Sequence, residues 1–194
     1  MKHSPDIYLA SNSPRRAELL RQIGVDFRVI AADVDEAVAA DETPEAHVTR
    51  LALEKARAGH APLQGEPRRP VLGADTMVVA GDIAMGKPRD REEAIHMLQS
   101  LSGRTHRVLS AVALVDEAEA LRLSITRVTF RTLTRAECTA YWDTGEPHDK
   151  AGGYAIQGLA AMFVSRLEGS YSGVMGLPLY ETAELLTTAG ITLL

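Results

Sequence analysis

Apolar positions along the chain change period repeatedly, and each change marks an element. Ile7-Tyr8-Leu9-Ala10 is a short continuous apolar run that reads as a buried strand. A helix follows at once. Ser13 suits its N-cap, Pro14 its first helical position and Gly24 the residue past its end, while Leu19, Leu20 and Ile23 recur at helical spacing. Phe27 to Ile30 predicts another strand. Thr43 and Pro44 then start a helix on which Val48, Leu51, Ala52, Lys55 and Ala56 share one face, with Lys55 its odd member.

Val71 to Val79 predicts a strongly apolar strand interrupted by Asp75 and Thr76, and the turn signal Gly81-Asp82 folds it back as a hairpin onto Ile83-Ala84-Met85. Asp90 and Glu93 have capping-box spacing for a helix that Gly103 closes. Arg107 to Val115 and Leu121 to Arg131 predict two more strands, the second changing phase between Ile125 and Val128 as a bulge would. Thr134 and Glu137 repeat the capping-box pattern before a helix ending near Gly145. Tyr154 to Gln157 and Met162 to Arg166 read as strands, and Pro178 to Ala189 as the last helix, closed by Gly190. Ala61 to Pro70 reads as a loop. So does Glu146 to Gly153, which is too glycine-rich and charged for a core. Strands and helices are interspersed, yet the hairpin is antiparallel. The pattern therefore predicts an α/β fold with a mixed sheet, without internal repeat or interdomain linker.

Composition narrows the class. With 194 residues, 45% hydrophobic and 24% charged, the chain matches one globular domain whose core needs neither disulfide nor structural metal. Its net charge of −5 argues against binding a nucleic-acid polymer, which requires a surplus of Lys and Arg, so any phosphate recognition must be local. Cys138 is the single cysteine and reads as a small apolar helix residue in a protein of a reducing compartment. No apolar run approaches the roughly 18 residues of a membrane span, and no apolar stretch of signal-peptide type follows Met1-Lys2-His3. The six histidines form no zinc-binding pattern, and Ser11 and Ser13 lack a nucleophile-elbow context.

The first helix carries an electrostatic conflict. Arg15 and Arg16 lie in its first turn, where free N–H groups and the macrodipole are already positive. With Ser11 and Ser13 nearby, the turn offers an anion both backbone and side-chain donors. The competing account has both arginines turned away toward acids such as Glu18. Neither a Walker A loop nor a dinucleotide fingerprint is present. Asp75 is the second anomaly, because a carboxylate inside an apolar run needs a cation, a donor network or solvent. It suits a Mg²⁺ ligand or a general base; a strand-end Asp bonded to backbone is the plainer account. Lys55 and Lys87 are candidates to converge on a polyphosphate. Glu146 to Gly153, with Lys150, reads as a lid or rim. The acidic connection from Asp33 to Glu45 reads as mostly solvated.

Together these residues resemble the Maf-like nucleoside triphosphate pyrophosphatases. The resemblance rests on Leu9-Ala10-Ser11-Asn12-Ser13-Pro14-Arg15-Arg16, Leu72-Gly73-Ala74-Asp75-Thr76, Gly86-Lys87-Pro88-Arg89, Leu101-Ser102-Gly103-Arg104-Thr105-His106 and Asp149-Lys150-Ala151-Gly152-Gly153-Tyr154-Ala155-Ile156-Gln157-Gly158, in order across nearly the whole chain. It implies a single domain over 1–194, a Maf/ITPase-like twisted mixed sheet flanked by helices, and two lobes around a deep nucleotide-binding cleft. It further implies a cytoplasmic hydrolase, with a homodimeric state, that converts a nucleoside triphosphate to the monophosphate and pyrophosphate with Mg²⁺ or Mn²⁺. Asp75 takes the position of the proton acceptor. Ser11, Arg16, Glu36, Lys55 and Lys87 take substrate-cleft positions, and Arg15, Thr76 and Gln157 positions tied to base selection. Ser13 and Lys150 complete the expected substrate contacts, and Glu36 with Asp75 forms the expected metal pair. The combination resembles the dTTP/UTP branch; alternatives are a pyrophosphatase for 7-methyl-GTP or other modified nucleotides, and a non-catalytic nucleotide-binding regulator of cell division. Asn12 departs from the Gly or Ala common at its position.

Overall fold

A computed structural model describes residues 5–61 and 69–193. Its strands are β1 (Ile7–Ala10), β2 (Phe27–Val29), β3 (Val71–Ala80), β4 (Ile83–Met85), β5 (Thr105–Val115), β6 (Glu119–Phe130) and β7 (Val164–Glu168). The helices are α1 (Pro14–Gln22), α2 (Pro44–His60), α3 (Arg91–Leu101), α4 (Arg135–Asp143), α5 (Tyr171–Met175) and α6 (Leu179–Thr188). One seven-stranded mixed sheet runs β2-β1-β3-β5-β6-β7, with β4 paired to β3. The strands flanking β1 are parallel to it, and the remaining pairings are antiparallel.

Alternation along β3 gives the sheet two different faces. On one face α2 lays Val48, Ala52 and Ala56 against Val79, Leu109, Ala111 and Ala113. The helix comes closest at Gly73, where an added Cβ would stand 2.3 Å from the Ala52 carbonyl oxygen and 2.5 Å from the Ala56 nitrogen. Only glycine permits that approach, and it brings Lys55 of α2 beside Asp75, two residues along the same strand face.

The opposite face carries two apolar cores. Leu9, Leu20, Leu72, Ala74, Leu114 and Leu185 belong to one. Val78, Ile95, Leu98, Val108, Phe130 and Phe163 belong to the other. Between them the register sets Thr76 of β3 directly opposite Ser110 of β5. These cores are the two lobes of the expected architecture, and polar residues occupy their junction.

Several local expectations need correction. Tyr154 to Gln157 is not a strand: Ala155 N–H is bonded to the Tyr141 hydroxyl at 3.0 Å, so a side chain takes the place of a ladder partner. No bulge occurs between Ile125 and Val128, because β6 stays in register with β5 throughout. The apparent change of phase arises because Ser124 and Thr126 occupy the buried face, Thr126 being held by the Ser170 backbone, while Ile125 is exposed. The segment from Glu146 to Gly153 forms short 3₁₀ turns and is partly core. Gly152, at φ +69°, and Gly153 are buried, Gly152 lying against Val78. The acidic connection is not simply solvated either: Glu42 pairs with Arg50 and His47, Glu45 with Arg107, and Glu36 with Lys55. Most of the predicted loop from Ala61 to Pro70 lies outside the described residues.

Thr43, Asp90 and Thr134 cap their helices through side-chain oxygens, and Thr134 with Glu137 completes a reciprocal capping box. Glu93 instead turns its carboxylate to Arg89. Cys138 is buried in α4. Among the described residues, no helix is long and apolar enough to cross a membrane.

Candidate active site

A cleft of about 480 Å³ opens where β1, β3, α1, α2 and the segments around Lys150 and Gly176 meet. Ser11, Ser13, Arg15, Arg16, Glu36, Lys55, Asp75, Thr76, Lys87, Lys150 and Gln157 all line it. Residues spread over nearly 150 positions of sequence thus face one space. Five cationic side chains and three carboxylates line it among the described residues, in a chain whose net charge is −5. Positive charge is therefore concentrated locally, as recognition of a polyanion requires.

At one end of the cleft the β1–α1 turn places Ser13 at the N-cap of α1, where its side chain makes no capping bond. Arg16 does not turn toward an acid. Its Nε donates to the Gly176 carbonyl at 2.8 Å and its Nη1 to Ser11 Oγ at 3.1 Å. Ser11 Oγ also accepts from the Ser13 N–H at 3.2 Å. With its lone pairs engaged, the Ser11 hydroxyl has a proton to offer the cleft. Burial lowers the pKa of Arg16, Asp75 and Glu36 oppose that shift, and Arg15 adds to it; the guanidinium remains charged.

Across the cleft, Lys55 Nζ stands 2.8 Å from Asp75 Oδ1 and 2.6 Å from Glu36 Oε1. The hydrogen bond from Lys55 is the main cause holding the Glu36 carboxyl below its ordinary pKa; burial opposes it, while Lys55, Lys87 and Arg16 add charge attraction. Two carboxylates meeting at one ammonium fit Mg²⁺ or Mn²⁺, which bind through one or two carboxylates and share substrate phosphates and water. No group of three or more potential His, Cys, Asp or Glu ligands occurs among the described residues, so phosphate oxygens would have to complete such a shell.

The far wall comes from the segment after α4. Lys150 pairs with Asp149, whose pKa is lowered chiefly by that hydrogen bond; burial opposes it, and Arg15 contributes attraction. Tyr154 backs this wall, with its hydroxyl 2.8 Å from His106 Nε2. Burial depresses His106 to about 4, and its Nδ1 has no hydrogen-bond partner among the described residues. The neutral ring and the Tyr154 hydroxyl share one hydrogen bond, whose donor is set by the ring tautomer. Tyr141 and Glu146 brace the wall from behind. The Tyr141 hydroxyl donates to Glu146 at 2.7 Å, and Glu146 accepts from the Leu159 N–H at 3.0 Å.

Asp149, Tyr154, Ser110 and Gly176 have structural parts that sequence reading did not assign. Gly176 was findable in principle: Gly169, Ser170, Gly173, Gly176 and Pro178 are dense turn-forming residues, and Ser170 caps the short helix α5. Its pairing with Arg16, 160 positions away, has no local signal.

A model of the family described as Maf-like protein matches residues 6–189. A dTTP/UTP pyrophosphatase of Alkalilimnicola ehrlichii is 63% identical over 95% of this chain and 93% of its own length. One of Saccharophagus degradans is 55% identical over 95% of this chain and 89% of its own. Among solved structures, a HAM1 protein from Coxiella burnetii aligns with a TM-score of 0.50 at 18% identity, covering 94% of this chain and 98% of that one. That likeness is one of fold.

Proposed function

Because this chain belongs to the Maf-like protein family, we propose that it hydrolyses nucleoside triphosphates, dTTP and UTP foremost, to the monophosphate and pyrophosphate. The observation that carries this reading is the placement of a carboxylate pair, Glu36 and Asp75, around Lys55, opposite a preorganised Arg16 in one cleft. A site for anion binding alone gains nothing from added negative charge. A site that activates water beside a phosphate requires it.

In this scheme Arg16, Lys87 and the Ser11 hydroxyl hold phosphate oxygens, with Ser13 and Lys150 as further contacts. Asp75 accepts the proton from a water that attacks the α-phosphorus. The bond from that phosphorus to the bridging oxygen breaks as the new bond forms, and pyrophosphate leaves against Lys55, Arg16 and Lys87. Glu36 and Asp75 would hold the divalent cation, which when bound supplies further positive charge to the phosphates. Arg15, Thr76 and Gln157 face the nucleoside. The proposal takes residues 1–194 as one domain, a reading supported by β3 and β5 each contributing residues to both cores. Nucleoside triphosphates are intracellular metabolites, so the proposal includes a cytoplasmic enzyme. A homodimer would have twice the chain mass of 21.0 kDa in solution.

The deciding experiment offers the protein canonical and modified triphosphates with Mg²⁺ or Mn²⁺ and follows monophosphate and pyrophosphate together. Equal amounts of the two products, fastest from dTTP and UTP, are expected. Asp75→Asn should lower kcat at least about 100-fold while remaining folded. Release of orthophosphate alone, or near-normal turnover by the variant, refutes the scheme.

A further inference from the structure

Glu36 reaches the cleft from a segment with no regular structure of its own: among the described residues, no helix or strand lies between β2 and α2. Ile30 and Ala32 pack on a small core at the start of this segment, and Thr43 caps α2 where it ends. Glu36 lies between these points with its side chain 64% exposed, yet its carboxylate stands 2.6 Å from Lys55 Nζ. One partly exposed ion pair does not hold a loop in place, because ordering the backbone costs more entropy than such a pair offsets.

Arg50 supplies the restraint. It lies five residues before Lys55 on α2 and outside the cleft lining. Its Nε donates to Glu42 Oε1 at 2.7 Å, and its Nη2 donates to Glu42 Oε2 at 2.9 Å and to the Ala37 carbonyl at 3.0 Å. Glu54, one turn further along α2, accepts from Nη1 at 3.0 Å and keeps the fork from rotating. Glu42 Oε2 also accepts from the Ala39 N–H at 3.1 Å, closing a turn that carries Asp41 at φ +58°. Non-glycine residues adopt that φ rarely, and it persists where the surroundings fix it. One planar guanidinium thus grips the loop at two points, and one of them is the carbonyl of the residue after Glu36.

We propose that Arg50 is a positioning residue for the divalent cation: by clamping Ala37 and Glu42 to α2 it holds Glu36 beside Lys55 and Asp75, and so sets the affinity of the cleft for Mg²⁺ or Mn²⁺ while touching neither cation nor substrate. This rests on the reading of Glu36 and Asp75 as the groups that hold the cation. Lysine cannot replace Arg50, since a point charge lacks the planar fork that spans both loop acceptors.

The test follows Mn²⁺ binding to the full-length protein by electron paramagnetic resonance, in the presence of a dTTP analogue with a non-hydrolysable α–β methylene bridge. Arg50→Lys keeps the net charge, so a change in affinity cannot come from the overall field of the protein. It should weaken Mn²⁺ binding about tenfold, and raising Mn²⁺ in the dTTP assay should restore most of kcat. A cycle with Glu36→Gln decides: once the Glu36 carboxylate is gone, Arg50→Lys should change Mn²⁺ affinity no further. A merely structural lesion weakens both backgrounds alike. That additivity, or unchanged Mn²⁺ affinity in Arg50→Lys, overturns the inference and leaves Glu36 a metal ligand. Should Arg50→Lys not fold, Glu42→Gln loosens the same clamp from the loop side and takes its place in the cycle. If Glu36→Gln alone binds Mn²⁺ as wild type does, the metal reading of Glu36 fails and this inference falls with it.

Discussion

His106 should make the protein unusually sensitive to mild acid. The ring is 2% exposed, packs edge-on to Phe130 and Tyr154, and has its pKa depressed by burial to about 4 from an ordinary 6.5. Above pH 6.5 the residue is neutral both folded and unfolded and contributes no pH dependence. Below 6.5 the unfolded chain takes up a proton that the folded protein refuses until about pH 4, so stability falls as pH drops through this window. Linkage gives a loss of about 2 kcal/mol by pH 5 and about 3 kcal/mol by pH 4. For a domain whose total stability is typically about 5–15 kcal/mol, that is a large fraction.

Urea unfolding of wild type and His106→Gln at pH 7.5, 6.5, 5.5 and 5.0 isolates the effect. Glutamine does not titrate and retains a donor for Tyr154. The variant should be the less stable protein at pH 7.5, because its packing against Phe130 is poorer, yet it should lose about 2 kcal/mol less than wild type between pH 7.5 and 5. Paired carboxylates act lower. Glu137 is pulled down to about 2, mainly by Arg131, so its stabilisation is present above the ordinary 4.5 and is lost as pH falls from there toward 2. Parallel decline of the two proteins from pH 7.5 to 5 would falsify the account of a neutral, buried imidazole.

Tyr141→Phe removes the donor to Glu146 and orphans the Ala155 N–H, costing about 1–3 kcal/mol. Because the same brace supports Lys150, Tyr154 and Gln157, KM for the triphosphate should rise several-fold with a smaller change in kcat; unchanged KM in steady-state assays counts against the bracing role. Gly73→Ala drives a methyl into the Ala52 and Ala56 backbone, so α2 must move. A cost of about 3 kcal/mol, read as a Tm drop of roughly 6–12 °C, should accompany loss of turnover as Lys55 leaves Asp75. Wild-type melting and rates in that variant would show that the close approach is dispensable.

Helix starts were readable because their chemistry is local. Thr43, Asp90 and Thr134 bond to backbone three residues on, and neighbouring sequence contains both partners. Tyr154-Ala155-Ile156 misled for the converse reason. Its buried apolar residues mimic a strand, but Tyr141, 14 residues earlier, takes the backbone donor that a strand would give to a ladder. Gly152 and Gly153 looked like loop because charge and glycine usually signal solvent; here the missing side chain lets the backbone enter the core against Val78. Lys55 and Asp75 each stood out as a charge in an apolar pattern, yet their meeting depends on the absent side chain of Gly73. Burial of a charge is visible in periodicity, whereas the identity of its partner depends on tertiary approach.

The two arginines of α1 show how far such an anomaly can carry. Their position predicted an anion, but their sequence could not distinguish a floppy cation from an organised one. The structure gives Arg16 two neutral oxygen acceptors, one on Ser11 and one on Gly176, and among the described residues no carboxylate is directly bonded to it. Neutral acceptors fix the guanidinium without cancelling its charge, so it is oriented before substrate arrives and little rotamer entropy remains to be lost on binding. The same Gly176 carbonyl lies 3.4 Å from the Thr76 hydroxyl. One backbone turn thus helps position two polar side chains on neighbouring parts of the cleft, and an anion that meets Arg16 finds its donor already oriented.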